Sequence, residues 1–493
     1  MKVEALAQHM ERPVGRGHIP DGACTGVAGG AACGDLLRIS VALDRDSSDG
    51  RIADIGFDAS GCGAAIAAGS ATVELVRGAG LLEAARVGSA QIALELGGLS
   101  PAKQHAAELA ADALHRALGR AARNQATLAQ MCSRTLVAMS GGVDSAVAAL
   151  LVEEAGQETV AVTLELWSDP ENDGERSCCS AQAVRSAREI AHGMGIAHFS
   201  IDLREEFKAG VVAGWLEGYA AGLTPNPCVR CNGSVRLDAM LELADRLGAQ
   251  TLATGHYART HVGEGERPLL RMAADEHKDQ SYALAALSPR SLARLRFPLG
   301  DLTKPEVRER ASRAGLDVAR RRDSQDLCFL AGTTSSDFLA RHGGLKRRAG
   351  AILDRDGREL GEHGGVHTVT VGQRHGLGIG GREPLYVIAT DARANTVTVG
   401  SREQLRTDRV SVREVTLHRD GACVDQVKVR YRGARLPCRL HGRPGAGPHE
   451  RLELQMLEQI ERTAPGQVAC LYAGDVIVGH GTIALEVDAS PGA

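Results

Sequence analysis

The spacing of apolar and polar positions divides the chain into three parts. In the first 125 residues, alternation predicts strands at 36–43 and 51–57, and helical spacing predicts helices after Cys62 and over 101–122. From 135 to about 330, short apolar runs alternate with helical stretches, a pattern typical of a parallel sheet with helices on both faces. Beyond about 345, glycine and β-branched residues predict short strands.

The segment 140–145 reads Ser-Gly-Gly-Val-Asp-Ser and stands between an apolar run and a helical stretch. Backbone N–H groups in such a turn, together with the positive end of the helix dipole, attract an anion, and glycine permits its close approach. The segment lacks the Walker ending and the dinucleotide spacing. It resembles the loop of ATP pyrophosphatases, which cleave ATP between the α- and β-phosphates. In a parallel sheet it would lie where ligands bind, beyond the carboxyl ends of the strands.

Composition sets broad limits. A chain of 493 residues has room for about three domains, and 43% hydrophobic with 24% charged residues is usual for globular protein. A net charge of −4 does not indicate a nucleic-acid binder, although basic clusters at 320–322, 346–348 and 428–443 fit either a solvated face or phosphate contact. We expect a cytoplasmic protein with no membrane association and reduced cysteines, because no signal-peptide core or membrane-length apolar stretch is seen.

Three of the cysteines form a pattern that indicates chemistry. Cys228 and Cys231 have CxxC spacing beside two prolines, and Cys328 follows about 100 residues later. One CxxC fits a zinc half-site, a redox pair or a sulfur-handling site, and three thiolates also suit an iron–sulfur cluster. A Cys₄ zinc site would need a second CxxC, which the sequence lacks.

From about 134 to 483 the chain strongly resembles the tRNA-specific 2-thiouridylases, the MnmA/TrmU family. Seven ordered motifs carry this resemblance, and they occupy 140–145, 224–232, 253–259, 278–282, 323–329, 372–378 and 464–467.

The resemblance implies ATP-dependent 2-thiolation of the wobble uridine of tRNA. Uridine O2 would be adenylated, and a cysteine persulfide would then deliver sulfur to C2, with release of AMP and pyrophosphate. Cys328 matches the persulfide carrier and Cys231 the second catalytic cysteine, the nucleophile. The residues implied to contact ATP are Ala138, Met139, Ser140, Gly141, Gly142, Val143, Asp144, Ser145, Leu164 and Gly255. Those implied to contact tRNA or the base are Asn226, Pro227, Cys228, Lys278, Asp279 and Gln280.

Several details remain alternatives. Many relatives carry Asp at 228, whereas this chain has a third cysteine there. An iron–sulfur cluster on Cys228, Cys231 and Cys328 is therefore an alternative to the persulfide route. Asp144 would orient Mg²⁺–pyrophosphate or cap the following helix. Arg230 is the nearest residue in sequence that could lower a thiol pKa.

The resemblance further implies ATP and Mg²⁺ as cofactors. The implied partners are tRNA and a sulfur donor, either a cysteine desulfurase or a sulfur relay protein.

The first 125 residues resemble the iron–sulfur scaffold proteins of the IscU/NifU type. Cys33, Asp35 and Cys62 match scaffold positions, and His105 stands beside the third. Ala106 replaces the third cysteine there, so a cluster would need as a ligand either His105 or Cys24, which would reach the site from a glycine-rich loop. The domain would hand sulfur or a cluster to the thiolation site in cis, recruit a desulfurase, or add stability alone.

We therefore predict an α/β protein built on a parallel-sheet ATP pyrophosphatase domain. The expected bounds are an α+β scaffold-like domain at 1–125, a linker at 126–133, the catalytic domain at 134–331 with an inserted tRNA-contacting segment at 278–296, a central domain at 332–405 and a C-terminal β-barrel at 406–493. The competing functions are an iron–sulfur scaffold or carrier that binds nucleotide, and an amide-forming ligase that uses the same loop.

Overall fold

The computed structural model describes residues 3–29, 34–44, 46–169, 180–263, 267–321, 327–330, 332–380 and 383–485. The chain forms two compact units, each made of several segments. The first comprises Met1–Glu205, Asp238–His256 and Arg294–Ala331. The second comprises Glu206–Leu237, Tyr257–Ala293 and Gly332–Ala493.

The α-helices and strands, numbered in chain order, are as follows. The helices are α1 Val3–Glu11, α2 Gly63–Val76, α3 Leu81–Ala84, α4 Ser89–Glu95, α5 Gln104–Asn124, α6 Val143–Glu154, α7 Ala181–Gly193, α8 Arg204–Phe207, α9 Ala213–Ala220, α10 Pro227–Arg230, α11 Leu237–Arg246, α12 Pro289–Arg294, α13 Lys304–Arg313 and α14 Ser335–His342. The strands are β1 Cys24–Gly29, β2 Leu36–Leu43, β3 Ile52–Ser60, β4 Met131–Ala138, β5 Glu158–Glu165, β6 Ala197–Asp202, β7 Ala249–Thr254, β8 Arg259–His261, β9 Leu269–Arg271, β10 Leu295–Arg296, β11 Gly350–Leu353, β12 Glu359–His363, β13 Tyr386–Asp391, β14 Thr396–Gly400, β15 Arg406–Leu417, β16 Gln426–Lys428, β17 Leu436–Leu440, β18 Gly447–Glu461, β19 Val468–Ala473 and β20 Val476–Ile483.

The first unit contains two sheets. Strands β1, β2 and β3 form an antiparallel meander that packs on α5. Gly26 permits this contact, because a Cβ there would lie 2.1 Å from the carbonyl oxygen of Ala113. The second sheet is fully parallel, in the order β10-β7-β4-β5-β6. Its strands are buried on both faces over most of their length, as expected for a sheet covered by helices. The predicted α/β class is confirmed.

The front domain is held against β6, which is an edge strand of the parallel sheet. Gly119 on α5 lies so close to this strand that a Cβ would be 2.0 Å from Ser200 O. On the same helix, Asp112 accepts hydrogen bonds from Arg185 and Arg188 of α7, at 2.6 Å from each nearest Nη2. Helix α5 therefore covers an edge that would otherwise expose unpaired backbone groups.

The segment predicted as a linker is a bound connection. Within 126–133, Leu128 N donates to Arg246 O at 2.8 Å, and Ala129 N donates to Ser48 O at 3.0 Å. Strand β4 already begins at Met131. Composition indicated a linker because alanine and polar residues are common in linkers, and in the structure these backbone groups pair with both flanking domains.

The second unit contains a four-stranded sheet, β12-β11-β14-β13, and a barrel. The barrel runs β15-β18-β17-β16-β19-β20 and closes through pairing of β20 with β15. Strands β9 and β8 extend it from β20. These two strands lie inside the expected catalytic range, whereas β10, at the end of the expected insertion, joins the parallel sheet. Two- and three-residue strands carry too little periodicity to reveal their partners.

Within the described ranges, every helix is too short or too polar to span a bilayer.

Candidate active site

The loop at 140–145 is a fixed turn at the carboxyl end of β4. Ser140 N donates to Ser145 Oγ at 3.1 Å, and this hydroxyl donates to Gly142 O at 3.0 Å. Gly141 has φ +72°, and a Cβ there would lie 2.9 Å from Ala183 O. Gly142 is the N-cap of α6 and brings no capping side chain. The helix therefore presents backbone N–H groups at its start, an arrangement suited to phosphate.

The other residues expected at ATP lie along the same edge of the sheet. Ala138 ends β4, Leu164 is the next-to-last residue of β5, and Gly255 follows β7. A Cβ on Gly255 would lie 2.7 Å from Ser145 N, so the loop rests directly on this glycine. Leu164 is almost fully buried, which suits an apolar wall. The structure thus brings all ten expected residues together, while their contact with ATP stays a prediction.

Asp144 has a partner that the sequence analysis missed. Lys304, at the start of α13, donates from Nζ to both carboxylate oxygens of Asp144 at 2.7 and 2.8 Å. The Lys304 side chain is only 10% exposed. The helix-cap alternative for Asp144 is wrong, because Gly142 occupies the cap position and Asp144 lies in the first turn.

Arg321 is a second residue that the sequence analysis missed. Its Nη1 donates to Gly141 O at 3.1 Å. Neither Lys304 nor Arg321 belongs to a motif used above. Only the basic cluster at 320–322 hinted at a role, and residue 322 lies outside the described residues.

Cys328 begins a short 3₁₀ helix, Cys328–Leu330, in the first unit. The next residue, Phe329, is buried and packs edge-on against Trp167, with ring centroids 6.4 Å apart. Trp167 follows β5, so Cys328 is held near the carboxyl edge of the parallel sheet, where the loop also lies. Residues 322–326 of its motif are outside the described part of the chain.

Cys228 and Cys231 lie one helical turn apart in the second unit. Asn226 caps α10 by accepting a hydrogen bond from Cys228 N at 3.0 Å, and Pro227 occupies the first helical position. Cys228 is exposed and Cys231 is buried. A π-helical segment, Cys231–Arg236, begins at the second cysteine, and such segments are frequent at functional sites.

The segment 278–280 supports its own turn. Asp279 is buried and accepts hydrogen bonds from Ala273 N at 3.0 Å and Ser281 Oγ at 2.8 Å. Gln280 accepts one from Tyr257 N at 2.9 Å. Direct RNA contact by these two residues stays a prediction, which the internal hydrogen bonding of Asp279 does not favour.

The basic stretch 428–443 is partly committed to the protein itself. Lys428 is buried, with Nζ 6.0 Å from the ring centroid of Tyr282. Arg430 donates to Arg462 O at 3.2 Å, and Arg435 donates to Gly474 O at 2.8 Å. The stretch is therefore not a continuous row of cations free to contact phosphate.

A thiol, a carboxylate and an imidazole meet in the front domain. Cys62 Sγ lies 3.3 Å and His105 Nε2 lies 3.1 Å from Asp35 Oδ2, and the three groups could together hold a metal ion. Burial acts to raise the pKa of Asp35, but hydrogen bonds from Cys62 and His105 outweigh it and lower this pKa. The expected site at Asp35, Cys62 and His105 is thus assembled, while Cys33 lies outside the described residues.

Cys24 does not belong to this site. It begins β1, whereas Gly29 at the other end of β1 pairs with Leu36, the neighbour of Asp35. Five residues of strand separate Cys24 from Gly29 by about 17 Å. The idea that Cys24 reaches the site from a glycine-rich loop was wrong, because the loop is a strand that points the thiol into the core.

Models of four protein families match the chain in succession. They are the NifU-like N terminal domain at 2–127, the tRNA methyl transferase HUP domain at 133–332, the tRNA methyl transferase PRC-barrel domain at 336–401 and the aminomethyltransferase beta-barrel domain at 403–483. A bifunctional protein NifU/MnmA of Rubrobacter xylanophilus is 45% identical over 492 residues, covering 97% of this chain and 98% of that protein. The chain belongs to the family of bifunctional NifU/MnmA proteins.

Parts of the chain also match shorter proteins. A tRNA-specific 2-thiouridylase MnmA of Sorangium cellulosum is 41% identical over 356 residues, 71% of this chain and 92% of that protein. A crystal structure of the N-terminal part of a nitrogen-fixing NifU-like protein from Brucella abortus is 18% identical and covers 24% of this chain and 81% of that one. Its TM-score of 0.16 is too low to support an argument. The family predicted from the sequence is confirmed.

Proposed function

We propose that the chain replaces O2 of the wobble uridine of tRNA by sulfur, at the expense of ATP. The enzyme class, a tRNA sulfurtransferase, is confirmed by the 45% identity to a NifU/MnmA protein over nearly the whole chain. The position and chemistry of the reaction are our proposal. The observation that carries it is the fixed turn at 140–145, whose geometry suits an anion, with Cys328 held near the same edge of the sheet.

The first step activates a poor leaving group. Uridine O2 attacks the α-phosphorus of ATP, and the bond to the β-phosphate oxygen breaks, which releases pyrophosphate. The N–H groups at the start of α6 face the site where this anion forms. Lys304 neutralises the Asp144 carboxylate beside the turn, so this carboxylate does not repel the developing negative charge.

The second step transfers sulfur. The outer sulfur of a persulfide on Cys328 attacks C2, and AMP leaves with the former O2. The Cys231 thiolate then attacks Cys328 Sγ and breaks the S–S bond, so the sulfur stays on C2 and the two cysteines form a disulfide. A thiol reductant must supply two electrons before the next turnover, and a donor protein must supply the next sulfane sulfur.

Neither Mg²⁺ nor an iron–sulfur cluster takes part in the two steps described above. Asp144 is the residue that would hold Mg²⁺, but both of its oxygens accept hydrogen bonds from Lys304. An iron–sulfur cluster would use Cys228, Cys231 and Cys328. Of these, exposed Cys228 is dispensable in the persulfide route and essential in the cluster route.

Cys228→Ala separates these routes. We expect the variant to retain thiolation within a few-fold of the wild type, because Cys231 and Cys328 suffice for the persulfide chemistry. The measurement is 2-thiouridine per tRNA, with mass spectrometry of the Cys328 peptide as the check on the persulfide. Lost activity with an intact persulfide would favour the cluster.

For the front domain, we propose a role in receiving sulfur or a cluster from the donor protein. The support is the assembled group of Asp35, Cys62 and His105. Iron content after reconstitution of the full-length protein, compared with Cys62→Ala, distinguishes the cargo. Equal, negligible iron in both would exclude the cluster and leave sulfur transfer or donor docking.

The experiment that tests the proposed function is AMP release by the purified chain. We expect release only when both tRNA and a sulfur source are present. An amide-forming ligase would release AMP with a small amine and no tRNA, and a scaffold that merely binds nucleotide would release none.

A further inference from the structure

Tyr431 occupies an unusual position on the second unit. It is 41% exposed and is the one exposed Phe, Trp or Tyr side chain among the described residues. It lies in the turn between β16 and β17, where Gly433 N donates to Arg430 O at 3.0 Å. An exposed aromatic ring gains no burial free energy unless another group covers it. The residues around Tyr431 therefore indicate what could pack on this ring.

A buried aromatic residue holds Tyr431 in place. Tyr282 contacts the Tyr431 ring edge-on, with centroids 5.9 Å apart and planes at 60°. Tyr282 itself is fully buried, and its hydroxyl donates to Val468 O at 2.9 Å. Lys428 lies over the Tyr282 ring. The orientation of Tyr431 is therefore fixed by a buried, hydrogen-bonded neighbour.

The same neighbour connects Tyr431 to the residues expected to meet the base. Tyr282 lies in the 3₁₀ segment Ser281–Leu284, which packs against α10, the helix that Asn226 caps and that carries Cys228. Burial raises the pKa of the Tyr431 hydroxyl, and the nearby Cys228 and Asp279 raise it further. Tyr431, through its ring contact with Tyr282, and α10, which carries exposed Cys228, thus both pack against the segment Ser281–Leu284.

We propose that Tyr431 is a stacking platform for an unpaired nucleobase of the RNA substrate, next to the site at 226–228. This inference rests on the proposed function and adds a nucleobase subsite to it. Single-stranded bases are bound by stacking on aromatic side chains, which tolerates any base and contributes about 1–3 kcal/mol per base. Because the other described Phe, Trp and Tyr side chains are at least partly covered, Tyr431 is the large ring best placed to supply this contact.

The test uses the full chain and a tRNA anticodon stem–loop that carries 2-aminopurine in the loop. We expect wild-type protein to quench its fluorescence by stacking. Tyr431→Ala should abolish the quenching and weaken binding roughly 10-fold, whereas Tyr431→Phe, which keeps the ring, should behave like the wild type. Leu457→Ala, an exposed apolar position on β18, is the matched control and should change nothing.

Two results would overturn the proposal in distinguishable ways. Normal binding and quenching by Tyr431→Ala would exclude the stacking platform and leave the proposed function intact. Failure of wild-type protein to bind the stem–loop or full-length tRNA would contradict the proposed function itself. An unchanged melting temperature of Tyr431→Ala excludes misfolding as the cause of a loss.

Discussion

At the scale of single residues, the ion pair of Lys304 and Asp144 sets the charge beside the turn at 140–145, where an anion would bind. Without the Lys304 ammonium, the Asp144 carboxylate would stand beside the phosphate site and repel it. Lys304→Met should therefore raise KM for ATP by about 10- to 100-fold, since a hydrogen bond to a charged group contributes about 1.5–3 kcal/mol. Steady-state pyrophosphate release measures this.

The matched control is Arg313→Met, at an exposed position on the same helix. It should leave KM for ATP unchanged. An unchanged KM for ATP in Lys304→Met would show that Lys304 does not assist ATP binding. Recovery of the wild-type KM in the double variant Asp144→Asn, Lys304→Met would identify charge repulsion as the cause.

Residue identities in motifs were predictable, but their long-range partners were not. The turn at 140–145 and the cap at Asn226 follow from local sequence, because neighbouring backbone groups make their hydrogen bonds. Lys304 is 160 residues from Asp144, so no local pattern could pair them. The prediction that Cys24 could serve as a ligand was wrong for a similar reason, because its distance from Asp35 is fixed by strand pairing and not by local sequence.

At the scale of elements, the contact between α5 and β6 joins the front domain to the parallel sheet. Gly119→Ala would push a methyl group into Ser200 O, and overpacking of this kind costs about 1–3 kcal/mol. We expect a lower melting temperature and faster amide exchange in both elements. Gly193→Ala, where a Cβ has open space, is the control and should not lower the melting temperature, because alanine is a better helix former than glycine.

Unchanged exchange in Gly119→Ala would show that the two domains are not packed through this helix in solution. The sequence predicted both elements but not their contact. Amphipathic spacing shows that α5 has a buried face, whereas it does not show that two sheets share that face.

At the scale of the whole molecule, buried histidines predict sensitivity to acid. Burial lowers the pKa of His192 in the first unit and of His480 in the second to about 4. Burial also places the pKa values of His115 and His198 well below the usual range. Each group binds fewer protons when folded than when unfolded, so the stability it contributes is complete above about pH 6.5 and is lost as the pH falls toward 4.

Each such histidine contributes a slope of up to about 1.4 kcal/mol per pH unit in that window. Burial raises the pKa of Glu165. This residue therefore binds up to one more proton in the folded state than in the unfolded state, which reduces the slope. Calorimetry at pH 7 and pH 5 should show a lower unfolding free energy at pH 5. His480→Gln should reduce the slope, and exposed His375→Gln should not. A pH-independent unfolding free energy would contradict the buried neutral state.

The order of the domains and the parallel sheet were predictable from periodicity across the chain. The interleaving of segments between the two units was not, because β8, β9 and β10 are too short to indicate which sheet they join. The residues expected at ATP, by contrast, lie at the ends of the apolar strands β4, β5 and β7, whose positions periodicity does predict.

The most direct test is a single-turnover reaction of full-length protein, loaded with persulfide, with ATP and unmodified tRNA. Nucleoside mass spectrometry should find 2-thiouridine at the wobble position, with one AMP per sulfur transferred, and Cys328→Ser should form none. Equal amounts of 2-thiouridine from the wild type and Cys328→Ser would contradict the account.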